Sequence, residues 1–166
     1  MIRLGICNEL FEGWALEDVC KTVRGLGYDG LEIAPFTLAP RITDLSPARR
    51  REIRATVENC GVAVIGLHWL LAKTEGFYLT SPDADTRRRT GDYLIALAEA
   101  SRDMGGSLMV LGSPKQRDLL PGVSYEQAEG YALEVFRRIM PAVGGFGIDL
   151  CLEPLAPTET DFLNTC

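Results

Sequence analysis

The chain lacks several features by which common protein classes are recognised. No apolar run approaches the roughly 20 residues of a membrane-spanning helix. Residues 2–7 are predicted to form a strand, and they lack the succession of basic and apolar regions by which a secretory signal peptide is recognised. No G-x-G-x-x-G follows that strand and no P-loop sequence occurs, so dinucleotide and nucleoside triphosphate sites lose their main support. We therefore expect a cytoplasmic protein that has no membrane partner.

Cysteine pairs are missing as well. The five cysteines are odd in number and include no C-x-x-C pair, which argues against a disulfide framework and a structural zinc site. Cys7 and Cys151 fall in predicted strands, where a small apolar thiol is expected to be buried. We expect reduced thiols throughout, at Cys7, Cys20, Cys60, Cys151 and Cys166.

An excess of basic residues is also absent, and this limits the partners. The formal net charge is −6, whereas nonspecific binding of nucleic acid depends on the neutralisation of phosphates. We therefore expect no nucleic-acid partner. Two arginine clusters, residues 49–51 and 87–89, each lie early in a predicted helix, and we interpret both as solvated helix faces.

What is present suits one soluble globular domain. The chain has 166 residues, of which 46% are apolar and 24% charged. A domain of this size buries roughly 70% of its unfolded surface, so it can form a substantial core. Four segments repeat apolar residues every three or four positions, which predicts helices. Their apolar faces are Leu16, Val19, Val23 and Leu26; Ile53, Val57 and Cys60; Tyr93, Leu97, Ala100 and Met104; and Ala128, Tyr131, Val135 and Ile139.

Capping residues mark the ends of these helices. Ser46-Pro47 and Ser81-Pro82 are expected to begin the second and third helices, because serine caps and proline suits the first turn. Ser124, with Gln127 three residues later, predicts a capping box for the fourth helix. Glycines are expected to end the four helices, at Gly27, Gly61, Gly105 and Gly144-Gly145.

Five short apolar runs alternate with the helices. Their nearly continuous apolar character is typical of parallel strands that are covered on both faces. The runs are residues 3–7, 30–34, 62–67, 107–111 and 148–152. Strand and helix alternate four times before the fifth strand, which predicts an α/β fold with a parallel sheet. The long connections, 35–45, 68–80 and 112–123, all follow strands, so a functional face is expected at the carboxyl ends of the strands.

Polar residues recur at those strand ends. Asn8 and Glu9 follow the first strand, Glu32 lies in the second, and Ser113 follows the fourth. His68 and Trp69 end the third strand, and a polar–aromatic pair suits a sugar-like ligand. Carboxylates with a histidine in one pocket can bind a divalent cation and transfer protons. A purely structural role stays open as the alternative for Glu32 and His68, because each can serve as a hydrogen-bonding group without taking part in function.

The end of the fifth strand carries the strongest signal. Glu153 directly follows an apolar run, where a purely solvated role is unfavourable, and we interpret it as functional. Glu159 lies six residues further on, beyond two prolines, and an ordinary loop role is the alternative for it.

The same region carries a family resemblance. L-E-P-L-x-P-x-E-T-x-F-x-N-T over residues 152–165 resembles the fifth-strand signature of the sugar phosphate isomerase/epimerase family. Within it, the likeness is closest to the D-tagatose/D-psicose 3-epimerases, which are xylose isomerase-like TIM barrels. G-Y-D-G-L-E over 27–32 and G-L-H-W over 66–69 resemble the second- and third-strand signatures of that family.

The resemblance implies a chemistry and a role for each residue. Glu153 would be both a ligand of a divalent metal (Mn²⁺, Co²⁺ or Mg²⁺) and a catalytic glutamate that moves a proton. Glu159, His68 and Glu32 would contact the sugar substrate, a ketose or sugar phosphate. The reaction implied is the epimerisation of a ketose through an enediolate, in which a proton leaves one face and returns to the other.

The resemblance also implies that residues 1–166 form the N-terminal part of a single TIM-barrel domain. Five strands of eight are predicted, and the family's remaining metal ligands come from strands six to eight. We expect weak metal affinity and no epimerase activity for this chain alone, and self-association through its open edges as a homo-oligomer. An inactive half-barrel that acts as a self-associating binding module is the alternative. An apurinic-site endonuclease on the same barrel is disfavoured, because the sequence holds one histidine and a net negative charge.

Overall fold

The computed structural model describes residues 2–165, so the fifth cysteine, Cys166, lies outside the described part. Strands and helices alternate along the chain, with short 3₁₀ turns after three of the strands. The strands are β1 Gly5–Cys7, β2 Gly30–Ile33, β3 Ala63–His68, β4 Leu108–Leu111 and β5 Asp149–Leu152. The helices are α1 Leu16–Gly25, α2 Pro47–Asn59, α3 Ala84–Asp103 and α4 Tyr125–Gly145.

The five strands form one parallel sheet in sequential order, β1-β2-β3-β4-β5. This order confirms the predicted partial α/β barrel. Because all strands run the same way, their carboxyl ends meet at one edge, where the predicted site residues follow them. Among residues 2–165, β1 and β5 each have a strand partner on one side.

The starts of two helices follow the predicted caps, and one does not. Ser46 accepts a hydrogen bond from the amide of Arg49, with Pro47 in the first turn of α2. Ser124 and Gln127 form the predicted capping box of α4. The third prediction is wrong: α3 begins at Ala84, and the Asp83 carboxylate caps it by accepting from two backbone amides. A charged carboxylate is a stronger acceptor there than the Ser81 hydroxyl.

The predicted glycine caps at the helix ends are correct for three helices and wrong for the fourth. Gly27, Gly61 and Gly105 have φ of 91°, 73° and 89°, as left-handed caps require, and these predictions are confirmed. The prediction for α4 is wrong, because Gly144-Gly145 belongs to the helix and Gly147 takes the left-handed position with φ of 71°.

The core lies between the sheet and the helices. Leu31, Leu67, Met109 and Leu111 of the strands are fully buried there. Two predicted contributions are wrong. Leu26 is 67% exposed, because it lies beyond the last turn of α1, and Cys151 is exposed on the sheet face that no helix covers. Among the described residues the helices cover one face of the sheet, so the expectation that both faces of the strands are covered is wrong.

The arginine clusters are also more structured than predicted. Arg50 and Arg87 are only 6% and 7% exposed, while their neighbours in both clusters lie in solvent. Arg50 reaches Asp103 of α3 at 3.2 Å, and Arg87 reaches Glu134 of α4 at 2.7 Å. These two arginines join neighbouring helices, so the interpretation as purely solvated faces is wrong for them.

None of the helices described between residues 2 and 165 combines the length and the apolar character needed to cross a bilayer.

Candidate active site

A bulge in β3 directs the histidine to the uncovered face of the sheet. The register passes from Leu31 opposite Val64 to Glu32 opposite Gly66, so β3 has one extra residue there. Val64 and Leu67 both belong to the core, although residues three apart in a regular strand face opposite sides. The bulge reconciles these placements, because an extra residue reverses the alternation beyond it. His68 follows Leu67 and therefore faces away from the helices, as Glu32 does.

His68 lies between two carboxylates at the carboxyl edge of the sheet. Its Nδ1 is 2.7 Å from Glu32 Oε2, and its Nε2 is 3.2 Å from Glu153 Oε2. The side chains of His68, Glu32 and Glu153 are 17%, 24% and 35% exposed, so a small molecule can reach them. Three of the four predicted site residues, from β2, β3 and the end of β5, therefore form one hydrogen-bonded cluster.

The two carboxylates favour a protonated imidazole. Burial lowers the pKa of His68, but the hydrogen bonds with Glu32 and Glu153 raise it by more, so its pKa lies above the ordinary value. A neutral imidazole can donate to one of the two carboxylates, whereas the imidazolium donates to both. The protonated form therefore holds Glu153 and Glu32 in fixed positions on either side of the ring.

Gly112, which follows β4, provides the space for this cluster. A Cβ atom built on Gly112 would overlap Glu153 Oε2 and would lie 3.1 Å from Glu153 Cδ and 3.4 Å from His68 Nε2. Any side chain at position 112 would therefore displace the Glu153 carboxylate. Sequence reasoning missed Gly112, and its position directly after an apolar strand is the signal that could have found it.

The structure does not bring Glu159 into the cluster. Its Oε2 accepts a hydrogen bond from the amide of Ala156 at 3.2 Å and so closes a turn of its own loop. Within residues 2–165 no hydrogen bond joins Glu159 to the other three site residues, and its side chain is exposed. Asn164 supports the same loop by donating to the carbonyls of Leu155 and Thr160. Substrate contact by Glu159 stays a prediction.

Two other polar residues at the strand ends have a structural role, because they hydrogen-bond to neighbouring loops. Asn8 Oδ1 accepts from the amide of Ala34 at 2.8 Å, and its Nδ2 donates to Thr37 Oγ1 at 2.8 Å. The buried Ser113 hydroxyl accepts from the amide of Leu71 at 3.0 Å. Both therefore fix the loops around the cluster.

An apolar cavity of about 550 Å³ is lined by Trp69, the residue that follows His68, but by none of the three cluster residues. The aromatic side chains of Phe36 and Trp69 form part of its wall, and the charged residues Glu9 and Lys115 also line it. The Trp69 backbone has φ of 56°, a left-handed conformation that is costly for a bulky residue. The indole and the His68 ring are stacked with their centroids 6.3 Å apart. The fold thus holds Trp69 in a strained conformation next to the carboxylates.

Arg117 is a second residue that sequence reasoning missed. It follows the 3₁₀ turn Pro114–Gln116 and is fully buried, at 0% exposure. Its Nη1 donates to the carbonyl of Leu111 at 3.2 Å. The carboxylates of Glu153, Asp118 and Glu159 lie in its surroundings and raise its pKa, but burial lowers the pKa by more. Nothing in its local sequence distinguishes this arginine from a solvated loop residue.

The described residues do not by themselves fit a metal ion. Glu153 could offer one carboxylate oxygen, because its other oxygen faces His68. Across residues 2–165 no group of three or more histidine, cysteine, aspartate or glutamate side chains is arranged to hold a cation. One carboxylate is a poor site for a divalent ion that takes several protein ligands.

The fold is shared with several sugar epimerases of known structure. D-psicose 3-epimerase crystallised in the presence of D-fructose is 19% identical, with a TM-score of 0.80, covering 99% of this chain and 56% of that chain. D-psicose 3-epimerase with D-tagatose from Clostridium cellulolyticum H10 is 20% identical, with a TM-score of 0.79 and the same coverage. The 3-keto-D-glucoside 4-epimerase from E. coli is 17% identical, with a TM-score of 0.77, covering 99% of this chain and 60% of that one.

The chain therefore spans 56% to 60% of the length of these three structures. No curated protein matches the sequence. A family model described as "Xylose isomerase-like TIM barrel" matches residues 20–166, which is most of the chain. This match confirms the resemblance predicted from the strand-end motifs: the chain belongs to the xylose isomerase-like TIM barrel family.

Proposed function

We propose that the protein is a metal-dependent sugar isomerase or epimerase of the ketose 3-epimerase type, of which this chain supplies the N-terminal part of the barrel and one catalytic carboxylate. The observation that carries the proposal is the Glu32–His68–Glu153 cluster at the carboxyl edge of a parallel sheet. Active sites of α/β barrels lie at this edge. The shared fold with D-psicose 3-epimerase supports the proposal further.

Glu153 is the proposed base. One of its oxygens is held by His68, and its partly exposed carboxylate faces the site. A carbon-bound hydrogen next to a ketose carbonyl is removed as a proton by the carboxylate, and the electron pair of the C–H bond moves toward the carbonyl oxygen to give an enediolate. Return of a proton to the opposite face of that carbon inverts it.

The other residues of the cluster position the base and the sugar. Glu32 fixes the imidazole from the far side, so His68 presents its Nε2 to Glu153 in one orientation. The aromatic faces of Trp69 and Phe36 provide an apolar surface for the carbon skeleton of a sugar. Glu159 is the proposed contact for sugar hydroxyls at the rim.

The metal requirement is part of this proposal for the whole protein. A bound divalent cation would supply Lewis-acid polarisation of the substrate carbonyl, and Glu153 would be its ligand from this chain. Because residues 2–165 assemble no set of three ligands, calorimetry of this chain with Mn²⁺, Co²⁺ and Mg²⁺ is expected to detect no tight binding. Micromolar binding that disappears in Glu153→Ala would show that this account of the ligand set is wrong.

The test compares two carboxylates at opposite ends of β5, Asp149 in its first position and Glu153 directly after it. The full-length gene product is incubated in D₂O with D-fructose, D-psicose or D-tagatose and with Mn²⁺ or Co²⁺, and both epimerisation and deuterium incorporation are measured. Glu153→Gln is expected to lower kcat by about 10²- to 10⁴-fold, as loss of a general base does. Asp149→Asn, at the opposite end of β5, is the control and should leave kcat unchanged.

Each outcome decides the proposal. Loss of both epimerisation and deuterium incorporation in Glu153→Gln supports it. A Glu153→Gln variant that keeps more than a tenth of the wild-type kcat would show that Glu153 is not the base. Absence of epimerisation and of exchange in the wild type, with all three sugars and both metals, would reject the ketose 3-epimerase assignment itself.

A further inference from the structure

Arg117 differs from the other buried arginines in how its guanidinium is paired. Arg50 and Arg87 are 6% and 7% exposed, and each forms ion pairs with carboxylates of a neighbouring helix. Arg117 is more deeply buried, at 0%, yet its Nε and Nη2 have no hydrogen-bond partner among the described residues. Its one side-chain hydrogen bond is to the carbonyl of Leu111. Unpaired buried donors are costly, so they call for a functional explanation.

The position of the guanidinium is fixed relative to Glu153. The Leu111 carbonyl, at the end of β4, accepts the Arg117 Nη1 donor at 3.2 Å and also the backbone amide of Glu153 at 3.3 Å. One oxygen atom therefore joins the buried cation and the main chain that carries the proposed base. Because both donors meet at the same acceptor, movement of Arg117 changes the environment of Glu153.

The charges around Arg117 belong to the same region. Burial lowers the pKa of Arg117. The nearby charges of Glu153, Asp118 and Glu159 oppose this by raising the pKa, with Glu153 first among them. None of these carboxylates forms a direct ion pair with it within residues 2–165. The guanidinium can therefore influence Glu153 only through its electric field and the shared carbonyl, since the Glu153 oxygen with a defined side-chain partner faces His68.

The loop that holds Arg117 is attached by hydrogen bonds to a neighbouring loop. The Leu79 amide donates to the Gln116 carbonyl at 2.8 Å, and the Thr80 hydroxyl donates to the carbonyls of Arg117 and Asp118 at 3.2 and 2.7 Å. These contacts attach the loop after β4 to the loop after β3. A preorganised charge has to stay in position when substrate binds. The hydrogen bonds between the two loops favour this for the Arg117 guanidinium.

We propose that Arg117 is a positioning residue, which acts through Glu153 and the shared Leu111 carbonyl to hold the Glu153 carboxylate in its reactive orientation. This inference rests on the proposed function of Glu153 as the base. It predicts that removal of the guanidinium impairs the proton transfer more than the binding of the sugar, because a displaced base affects the transition state most.

The first experiment measures kcat and KM of the full-length gene product. Arg117→Met, which keeps the length and apolar packing of the side chain, is expected to lower kcat by about 10- to 100-fold with KM changed less than about threefold. Arg117→Lys, which keeps the charge but loses the planar fork, should retain more kcat than Arg117→Met. The controls are Arg50→Met and Arg87→Met, which remove nearly as deeply buried arginines whose ion pairs join helices, and they should leave kcat unchanged below the melting temperature.

The second experiment does not depend on activity. Urea unfolding is measured for wild type, Arg117→Met, Glu153→Gln and the double variant. Arg117→Met changes the unfolding equilibrium constant by some factor in the wild type and by another factor in the Glu153→Gln background. If the cation and the carboxylate interact, the second factor should be about threefold smaller than the first. The same cycle with Arg87→Met in place of Arg117→Met should be additive. If Arg117→Met does not fold, the cycle is carried out with Arg117→Gln, which removes the charge but keeps hydrogen-bond donors for the Leu111 carbonyl.

The two experiments separate this inference from the proposed function. A wild type without epimerase activity would reject the proposed function, while the unfolding cycle would still decide whether Arg117 acts on Glu153. Additive unfolding effects would overturn the inference, as would an Arg117→Met variant that keeps kcat within twofold of the wild type. An equal loss of kcat in Arg87→Met would also overturn it, because the effect would then belong to any buried arginine.

Discussion

Gly112 and Glu153 are so close that the glycine determines where the carboxylate can lie. A Cβ atom at position 112 would overlap Glu153 Oε2 and lie 3.1 Å from its Cδ. The absence of a side chain at Gly112 is thus part of the geometry that lets Glu153 reach His68. This relationship crosses from the end of β4 to the end of β5, as does the hydrogen bond between the Glu153 amide and the Leu111 carbonyl.

Gly112→Ala is therefore expected to impair activity strongly and stability only slightly. The added methyl group pushes the Glu153 carboxylate away from His68, so kcat should fall by about 100-fold, the cost of a misplacement of about 1 Å. The stability cost should be about 1 kcal/mol, mainly the lost hydrogen bond with His68, because Glu153 Oε2 is the end of a flexible, partly exposed side chain that can move aside. Enzyme kinetics and urea unfolding measure the two effects.

The control for this substitution is Gly130→Ala, which adds a methyl group to α4 where nothing beyond the adjacent helix backbone lies within 4 Å of the new Cβ. It should preserve kcat and raise stability by up to about 1 kcal/mol, because alanine is a better helix former than glycine. An alanine at position 112 with wild-type kcat would contradict the inferred role of this glycine.

The placement of His68 between two carboxylates predicts a pH dependence of stability. The folded-state pKa of His68 lies above its ordinary value of 6.5. A raised histidine pKa means that the folded state binds the proton more tightly, so the stabilisation is complete below pH 6.5 and is lost as the pH rises through the folded pKa. We therefore expect the free energy of unfolding to decline across that interval.

His68→Gln isolates this contribution, because glutamine can hydrogen-bond but does not titrate. In metal-free buffer, the difference in unfolding free energy between wild type and His68→Gln should be largest at about pH 5.5–6.5, where the carboxylates are still ionised, and smaller at about pH 8. A difference that is constant over this range would mean that the two carboxylates do not stabilise the imidazolium.

The sequence predicted the parts of the fold that depend on local preferences. The order of strands and helices followed from the apolar periodicity, and the left-handed caps at Gly27, Gly61 and Gly105 followed from the conformational freedom of glycine. Ser46 and Ser124 cap their helices because a hydroxyl near the first turn accepts free amides in almost any tertiary context.

The features that could not be predicted from the sequence depend on contacts between residues that are far apart in the chain. The bulge in β3 arises from pairing with β2, and without it the alternation would place His68 on the same face as Val64. Gly112 is constrained by Glu153, and the burial of Arg117 depends on a loop that is bonded to the loop after β3. Glu32, His68 and Glu153 were predicted to converge because parallel strands bring their carboxyl ends together, which is a topological rule and not a local one.

The edges of the sheet predict self-association of this chain. In the described residues β1 and β5 pair on one side each, so their outer backbone N–H and C=O groups are free for another strand. Leu152 of β5 is 43% exposed, and Cys151 beside it is exposed as well. Sedimentation velocity is expected to show a mass that rises with protein concentration.

Leu152→Lys should reduce this association, because a charged residue on an edge strand opposes pairing with a second chain. The matched control is Leu133→Lys on α4, which is similarly exposed at 40% but lies away from the sheet edges. A monomeric wild type at every concentration, or equal effects of the two lysine variants, would argue against association through β5.

Glu159 provides the last prediction, since the structure separates it from Glu153. Its carboxylate closes a turn with the amide of Ala156, and glutamine keeps an acceptor oxygen for that bond, so Glu159→Gln should fold normally. Because its proposed role is contact with sugar hydroxyls, the expected effect is a rise in KM of about 10-fold with kcat nearly unchanged. Glu129→Gln, an exposed residue of α4, serves as the control in the same assays and should change neither constant. A large fall in kcat for Glu159→Gln would place this residue in the proton transfer together with Glu153, whereas unchanged kinetics would leave it as a loop residue that stabilises the turn after β5.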